Sequence, residues 1–228
     1  MRYNTEISIL IPTINEEKNI SLILNLIKKT FNKNIKKEII FIDDNSIDKT
    51  IENIKTYQKK MKNIKLINSK KKLGLGHAIN QGLKIASGKF ILCLDCDCAV
   101  NNFDLKKIIE QRGLKKVVIG SRYLAKSKII NCNRAKIFLS KLVNIFIAFC
   151  YDIKGRDLTQ SLRIFPRVKN FKPINLTHPA YFIELSIYLK KKNYYFHEIP
   201  ITYNNRIAGL TKNTTINLLK STASFFLK

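Results

Sequence analysis

The chain sets short, nearly unbroken apolar runs against longer stretches where apolar residues recur every three or four positions. ISILI (7–11), EIIFI (38–42), IKLI (64–67), FILCL (90–94) and VVI (117–119) are of the first kind. Runs of that length without regular polar alternation suit strands covered on both faces. Between them, Ile20, Leu22, Ile23, Leu26 and Ile27 mark one stripe at helical spacing. Residues 49–60 give a second helix, which Ser46 or Asp48 can cap. Gly74 and Gly76 punctuate the entry to a third. Strand and helix in turn predict a mainly parallel sheet flanked by helices.

The second half is patterned differently. Residues 136–151, KIFLSKLVNIFIAFCY, are strongly apolar, but Lys136, Ser140 and Asn144 recur every fourth position and form one polar line. Such a helix suits a protein groove or a lipid interface; the pattern equally allows a core helix with a solvated polar face. Residues 157–163 read as a loop and strand. Residues 180–189 read as an apolar helix carrying Glu184, an acid that needs a partner or a task in that setting. EIPITY (198–203) is a short strand, followed by RIAGLTK (206–212) and an amphipathic tail over 216–227. No segment has the roughly eighteen uninterrupted apolar residues of a membrane span, and the N-terminal apolar run is too short for a signal peptide.

Composition changes this picture in two places. The net charge of +26 and pI near 10.0 call for anionic partners. The cations are mostly scattered Lys, and lipid head groups, phosphates or nucleotides explain them as well as RNA does, so charge alone decides nothing; with no RNP, zinc-finger or helix-turn-helix signature, no nucleic-acid partner is expected. Of the five Cys, Cys93 and Cys96 have metal-like spacing, but no second pair completes a ligand set. Free thiols in a reducing cytosol are expected.

The candidate chemistry lies where the fourth strand ends. Asp95 and Asp97 follow FILCL directly, and ligands of open α/β sheets bind beyond the carboxyl ends of the strands. Two Asp separated by one residue can both reach one hard cation, and the natural ligand of such a site is a metal diphosphate. A plain turn would use the same residues. The second acidic cluster, Asp43, Asp44 and Asp48, stands at an equivalent place after the second strand and favours the site. Gly74-Leu75-Gly76 is neither a dinucleotide fingerprint, which would need Gly where Ile79 stands, nor a P-loop.

In order along the chain, Pro12-Thr13-Ile14-Asn15-Glu16, Asp43-Asp44-Asn45-Ser46-Ile47-Asp48, Gly74-Leu75-Gly76 and Asp95-Cys96-Asp97 are followed by Gly120-Ser121-Arg122-Tyr123. Asp157-x-Thr159, Arg163, Glu198-Ile199-Pro200-Ile201 and Arg206-x-x-Gly209-x-Thr211-Lys212 complete the series. This collinear set resembles the family 2 glycosyltransferases, in particular their dolichyl-phosphate mannosyltransferase branch. The resemblance implies a GT-A fold over residues 1–212, with a Rossmann-like sheet, amphipathic membrane-contacting helices and a C-terminal tail at 213–228. It also implies inverting transfer of a sugar from a nucleotide diphosphate to a polyprenyl phosphate. Pro12, Ile14, Glu16, Ile42 and Asp44 would hold base and ribose, and Asp95, Cys96 and Asp97 the diphosphate. Asp95 and Asp97 would ligate Mg²⁺ or Mn²⁺. Arg122, Arg134, Lys136 and Ser140 would clamp the acceptor phosphate, and Arg206 and Lys212 would belong to a loop closing over both substrates.

The chain departs from the family pattern at Ile14, where Tyr is common, and at Ala99, where a polar residue often joins the metal shell. Lys136 replaces an acceptor-binding Arg, and Asp157–Arg163 lacks the usual Gly and Phe. The expected activity is mannosyl transfer from GDP-mannose to dolichyl or another polyprenyl phosphate at the cytosolic membrane face. Either the helices and basic surface provide attachment, or a small membrane subunit does. UDP-glucose is the alternative donor. The rivals are a soluble family 2 enzyme acting on a glycan or protein, and a non-enzymatic basic protein binding RNA or lipid.

Overall fold

A computed structural model describes residues 5–168, 171, 174 and 180–204. In chain order the elements are β1 (Ile7–Thr13), α1 (Ile20–Thr30), β2 (Lys37–Asp43), α2 (Thr50–Lys60), β3 (Ile64–Asn68), α3 (Leu75–Ile85), β4 (Phe90–Cys93) and α4 (Asn102–Glu110). They continue with β5 (Lys116–Ser121), β6 (Lys128–Ile130), α5 (Arg134–Cys150), β7 (Arg163–Pro166), α6 (Ala180–Lys191), β8 (Tyr195–Pro200) and β9 (Thr202–Asn204).

Among the described residues, seven strands form one sheet in the order β3-β2-β1-β4-β7-β5-β8, and β6 pairs with β9 in a second. The strands separated by helices, β1 to β4, pair in parallel as the alternation predicts. β7 is the exception, antiparallel to both β4 and β5. The pleat explains why apolar runs work on both faces. Ile7, Ile9 and Ile11 enter one core with Ile20, Ile23, Ile54 and Leu105, from α1, α2 and α4. Leu10, Ile40 and Ile42 enter the other with Ala78, Ile79, Ile147 and Ile183, from α3, α5 and α6.

Two departures from the sequence expectation have local causes. The stretch expected as one strand over 198–203 is two, because the chain changes sheets at Ile201: its N–H donates to Ser121 O and its carbonyl accepts from Lys128 N. The helix α4 was not legible as an apolar stripe; it is started by Asn101, whose Oδ1 accepts from Asp104 N at 2.9 Å. At the opposite end of the sheet, β1 and Gly88 come so close that a Cβ on Gly88 would lie 2.5 Å from Ser8 N. No described helix is long and apolar enough to cross a membrane.

Candidate active site

The carboxyl ends of β1, β2 and β4 point the same way, and the loops after them are laced together by side chains. Asp43 Oδ2 accepts from Thr13 Oγ1 at 3.1 Å and from Ser46 Oγ at 2.5 Å, joining the ends of β1 and β2. Across the same gap Asn15 N donates to Ser46 Oγ at 2.8 Å, Ile47 N to Asn15 Oδ1 at 2.9 Å and Glu16 N to Thr50 Oγ1 at 2.7 Å. Asn15 and Asn45 take positive φ values of 48° and 67°, a conformation Asn tolerates. Neither Ser46 nor Asp48 is the cap of α2, which is Lys49 without a side-chain bond, but Asp48, one residue earlier, accepts from Thr50 N at 3.0 Å. Asp44 reaches a third loop: its two oxygens accept from Leu73 N at 2.7 Å and Gly74 N at 2.8 Å. Gly74, at φ 89°, makes that turn into α3. The acidic cluster therefore ties together the loops that follow β1, β2 and β3.

Pro12 and Ile14 are half-buried, and Glu16 is buried beside Asn19, whose Nδ2 donates to Glu16 Oε2 at 2.6 Å. Ile42 differs from its expected place. Its side chain is fully buried against α3, where a Cβ on Gly82 would lie 3.0 Å from Ile42 Cδ1.

Beyond β4, Asp95 is half-buried and Asp97 is 8% exposed. Ser161 Oγ donates to Asp95 Oδ2, and Ala99 N to Asp97 Oδ1 at 3.2 Å. Ser161 stands in the stretch that departs from the family pattern, and here its hydroxyl orients the first carboxylate. The Ala99 position contributes backbone only. Cys96 lies between the two acids but is buried, and burial pushes its thiol well above the ordinary range; burial likewise raises Cys93 and Cys98 to about 12. All five cysteines are free of disulfides, and burial favours the neutral thiol at these three. No group of three or more His, Cys, Asp or Glu that could hold a metal is found among the described residues. Two carboxylates fit a hard cation that takes its remaining oxygens from water and substrate phosphates, as Mg²⁺ and Mn²⁺ do.

Arg122 extends from the end of β5, with Tyr203 feeling the charges of both Arg122 and the acidic pair. Its guanidinium lies 5.0 Å from the Tyr123 ring centre and 5.5 Å from that of Tyr203. It forks onto Asp157, Nε to Oδ2 at 2.9 Å and Nη2 to Oδ1 at 2.7 Å, and its own backbone N–H donates to Oδ2 at 2.8 Å. Burial disfavours the Arg122 charge, but the Asp157 carboxylate more than restores it, so the pKa is raised. Asp157 N donates to Glu198 Oε1 at 2.8 Å, and burial raises the Glu198 pKa. Burial, then Asp97, raises Tyr203.

The remaining acceptor candidates lie on α5, started by Asn133, whose side chain accepts from Ala135 N and Lys136 N. Arg134 is exposed, Lys136 half-buried, and Ser140 buried with its hydroxyl bonded to Tyr123. The polar line of α5 thus turns inward, with Asn144 fully buried, while Phe138, Leu142, Ile145 and Phe149 are 48–86% exposed. A solvated polar face is therefore not what this helix has. Glu184 reaches a half-buried position on α6, whose other side chains are mostly buried. Arg206, Lys212 and the 213–228 tail lie outside the described residues; the last described residue, Asn204, donates its N–H to Ala99 O at 2.9 Å, beside the carboxylate pair.

The sequence missed Asp157 as the partner of Arg122, and the parts played by Ser161, Asn144 and Tyr203. Thirty-five positions separate Arg122 from Asp157, and only the antiparallel return of β7 beside β5 brings them together.

A mainly parallel sheet flanked by helices, with an acidic pair just past β4, is the architecture of a GT-A fold. The chain belongs to the glycosyl transferase family 2, whose model matches residues 8–178. It is 28% identical over 210 residues to a dolichol-phosphate mannosyltransferase of Pyrococcus furiosus, covering 91% of this chain and 59% of that protein. It is 27% identical over 224 residues to a dolichyl-phosphate beta-glucosyltransferase of Dictyostelium discoideum, covering 88% and 67%. Among solved structures it resembles S. aureus TarS in complex with UDP-GlcNAc, with TM-score 0.61 and 22% identity over 90% of this chain and 60% of that one. It also resembles glucosyl-3-phosphoglycerate synthase from Mycobacterium tuberculosis in complex with Mn²⁺, UDP-Glc and glycerol 3-phosphate, with TM-score 0.63 and 15% identity over 97% and 77%. The chain thus spans 59% of the Pyrococcus relative's length.

Proposed function

We propose that this protein moves a sugar, mannose from GDP-mannose, onto dolichyl or another polyprenyl phosphate at the cytosolic face of a membrane. The observation that carries the reading is the inverted helix α5. It turns Ser140 and Asn144 toward the site and an apolar stripe of Phe138, Leu142, Ile145 and Phe149 outward. Exposed Arg134 and Lys141 flank that stripe, as suits a helix lying among anionic head groups. An acceptor held in that surface meets Arg122 and Lys136 first.

In this reading Pro12, Ile14, Glu16, Asp44 and the Ile42 backbone hold base and ribose. Asp95 and Asp97 hold Mg²⁺ or Mn²⁺, which when bound supplies Lewis-acid neutralisation of the diphosphate leaving group. Arg122, Arg134, Lys136 and Ser140 orient the acceptor phosphate. One of its oxygens displaces the nucleoside diphosphate at the anomeric carbon with inversion, and being already anionic it needs no strong general base. Arg206 and Lys212 follow Asn204 in the chain and supply closing cations.

The test offers GDP-mannose and UDP-glucose with a short polyprenyl phosphate in detergent, with and without Mn²⁺. Mannosyl lipid is expected, abolished by Asp95→Asn or Asp97→Asn in folded protein. Product only from UDP-glucose moves the donor to the second reading, which the Dictyostelium relative's name supports. Product on a glycan or protein but not on lipid phosphate defeats the acceptor assignment. Vesicle co-sedimentation of the protein alone separates attachment through α5 from delivery by a small membrane subunit.

A further inference from the structure

One loop, residues 157–162, touches Arg122, Asp95 and the inward face of α5. Asp157 carries the Arg122 guanidinium, Ser161 holds Asp95, and Thr159 lies between them. Thr159 Oγ1 accepts from Arg122 Nη2 at 3.3 Å and from Asn144 Nδ2 at 3.0 Å; its N–H donates to Asn144 Oδ1 at 3.0 Å. Asn144 Nδ2 also donates to Ser140 O at 2.7 Å. Asn144 is fully buried and Thr159 is 6% exposed, so water does not substitute for these bonds. A core helix does not need an amide here, since Ile147 one turn on seals the same face with apolar contacts alone.

We propose that Asn144 is a positioning residue: its paired bonds to Thr159 tie the inward face of α5 to the Arg122–Asp157 pair. The placement of α5 thereby sets where the Arg122 guanidinium stands toward an incoming anionic acceptor. This rests on the lipid-phosphate reading for its acceptor, though the linkage itself does not depend on it. Asn suits the task because it donates and accepts at once, matching both the hydroxyl and the N–H of Thr159. Burial keeps the connection stiff, so a shift of the helix moves the loop with it. The residue touches no reacting atom, and its effect passes through Arg122.

The experiment uses the full chain with Asn144→Leu, Thr159→Val, their double variant and Thr159→Ser. The readouts are thermal unfolding, sugar transfer to water, KM for each substrate with a short polyprenyl phosphate, and the Arg122 Nε–H NMR signal, assigned by its loss in Arg122→Lys. Asn144→Leu is expected to raise the acceptor KM at least tenfold and to shift the Arg122 signal, with donor KM and transfer to water within twofold. The double variant should be no worse than the worse single, and Thr159→Ser, which keeps the hydroxyl, should behave as the parent. An unmoved Arg122 signal, or effects of the two single changes that multiply, overturns the inference. If Asn144→Leu does not fold, the NMR signals of Thr159→Val and Thr159→Ser decide the same question: a shift in the first alone supports the linkage, and no shift in either overturns it. If the parent transfers sugar to water but not to lipid phosphate, the acceptor reading fails, while the signal still decides the linkage.

Discussion

Replacing Asp157 by Asn tests whether the Arg122 pair is the buried electrostatic joint the geometry describes. The Asp157 side chain is 0% exposed and that of Arg122 19%, so solvent has little access to either charge. The carboxylate accepts three bonds of 2.7–2.9 Å from Arg122. An Asn leaves the guanidinium charge without its counter-ion and turns its NH₂ toward two Arg122 donors in one orientation or one in the other. Breaking one side of a buried pair costs about 3–5 kcal/mol, against about 5–15 kcal/mol for a whole domain. Urea unfolding reads this directly: with a slope of about 1–3 kcal/mol per molar, the midpoint should fall by more than about 1 M at unchanged slope. Arg122→Gln combined with Asp157→Asn should recover most of the loss, since neither charge then remains buried. A single Asp157→Asn variant losing less than about 1 kcal/mol, the range of surface pairs, would refute the account. So would a double variant less stable than that single one.

Glu38 gives the pH dependence. Its burial would raise its pKa, but Lys65 at 2.7 Å and the bonds from Ser8 and Ser87 overcome this and lower it. A carboxylate depressed on folding stabilises above its unfolded pKa, so stability should hold from neutral pH down to the ordinary carboxylate range and fall through the native pKa below it. Glu38→Gln should flatten that acid limb in urea midpoints measured against pH, and an unchanged limb would contradict it. Arg163, fully buried, donates to the carbonyls of Leu158, Gln160 and Phe182 and to Ser186 Oγ. Arg163→Lys cannot reach them all, at about 1–3 kcal/mol for each acceptor left unpaired, and a melting point within a degree of the parent would count against that role. On α5, Ile145→Ser with Phe149→Ser removes side chains 65% and 86% exposed, so stability should change by less than about 0.5 kcal/mol for each. Binding to anionic vesicles should nevertheless drop severalfold, and unchanged sedimentation with vesicles would remove α5 from the membrane contact.

Local information was enough for the parallel half of the molecule. ISILI, EIIFI and FILCL could only be strands covered on both sides, and their order with intervening helices determined that acids placed just after them would gather at the carboxyl end of the sheet. That much follows from periodicity, because the pleat and the helical repeat are properties of neighbouring residues. The direction in which α5 faces was a different matter. A helix with one polar line and one apolar stripe has the same sequence whether the line meets water or the protein interior. Only the packing of Asn144 on Thr159 turned it inward. The partners of Arg122 and Asp95 were equally hidden, since Asp157 and Ser161 arrive through a strand that runs against its neighbours. A contact between residues far apart in the chain depends on which strands become adjacent. That order is decided by burying both faces of the whole sheet at once, which no single stretch of sequence encodes.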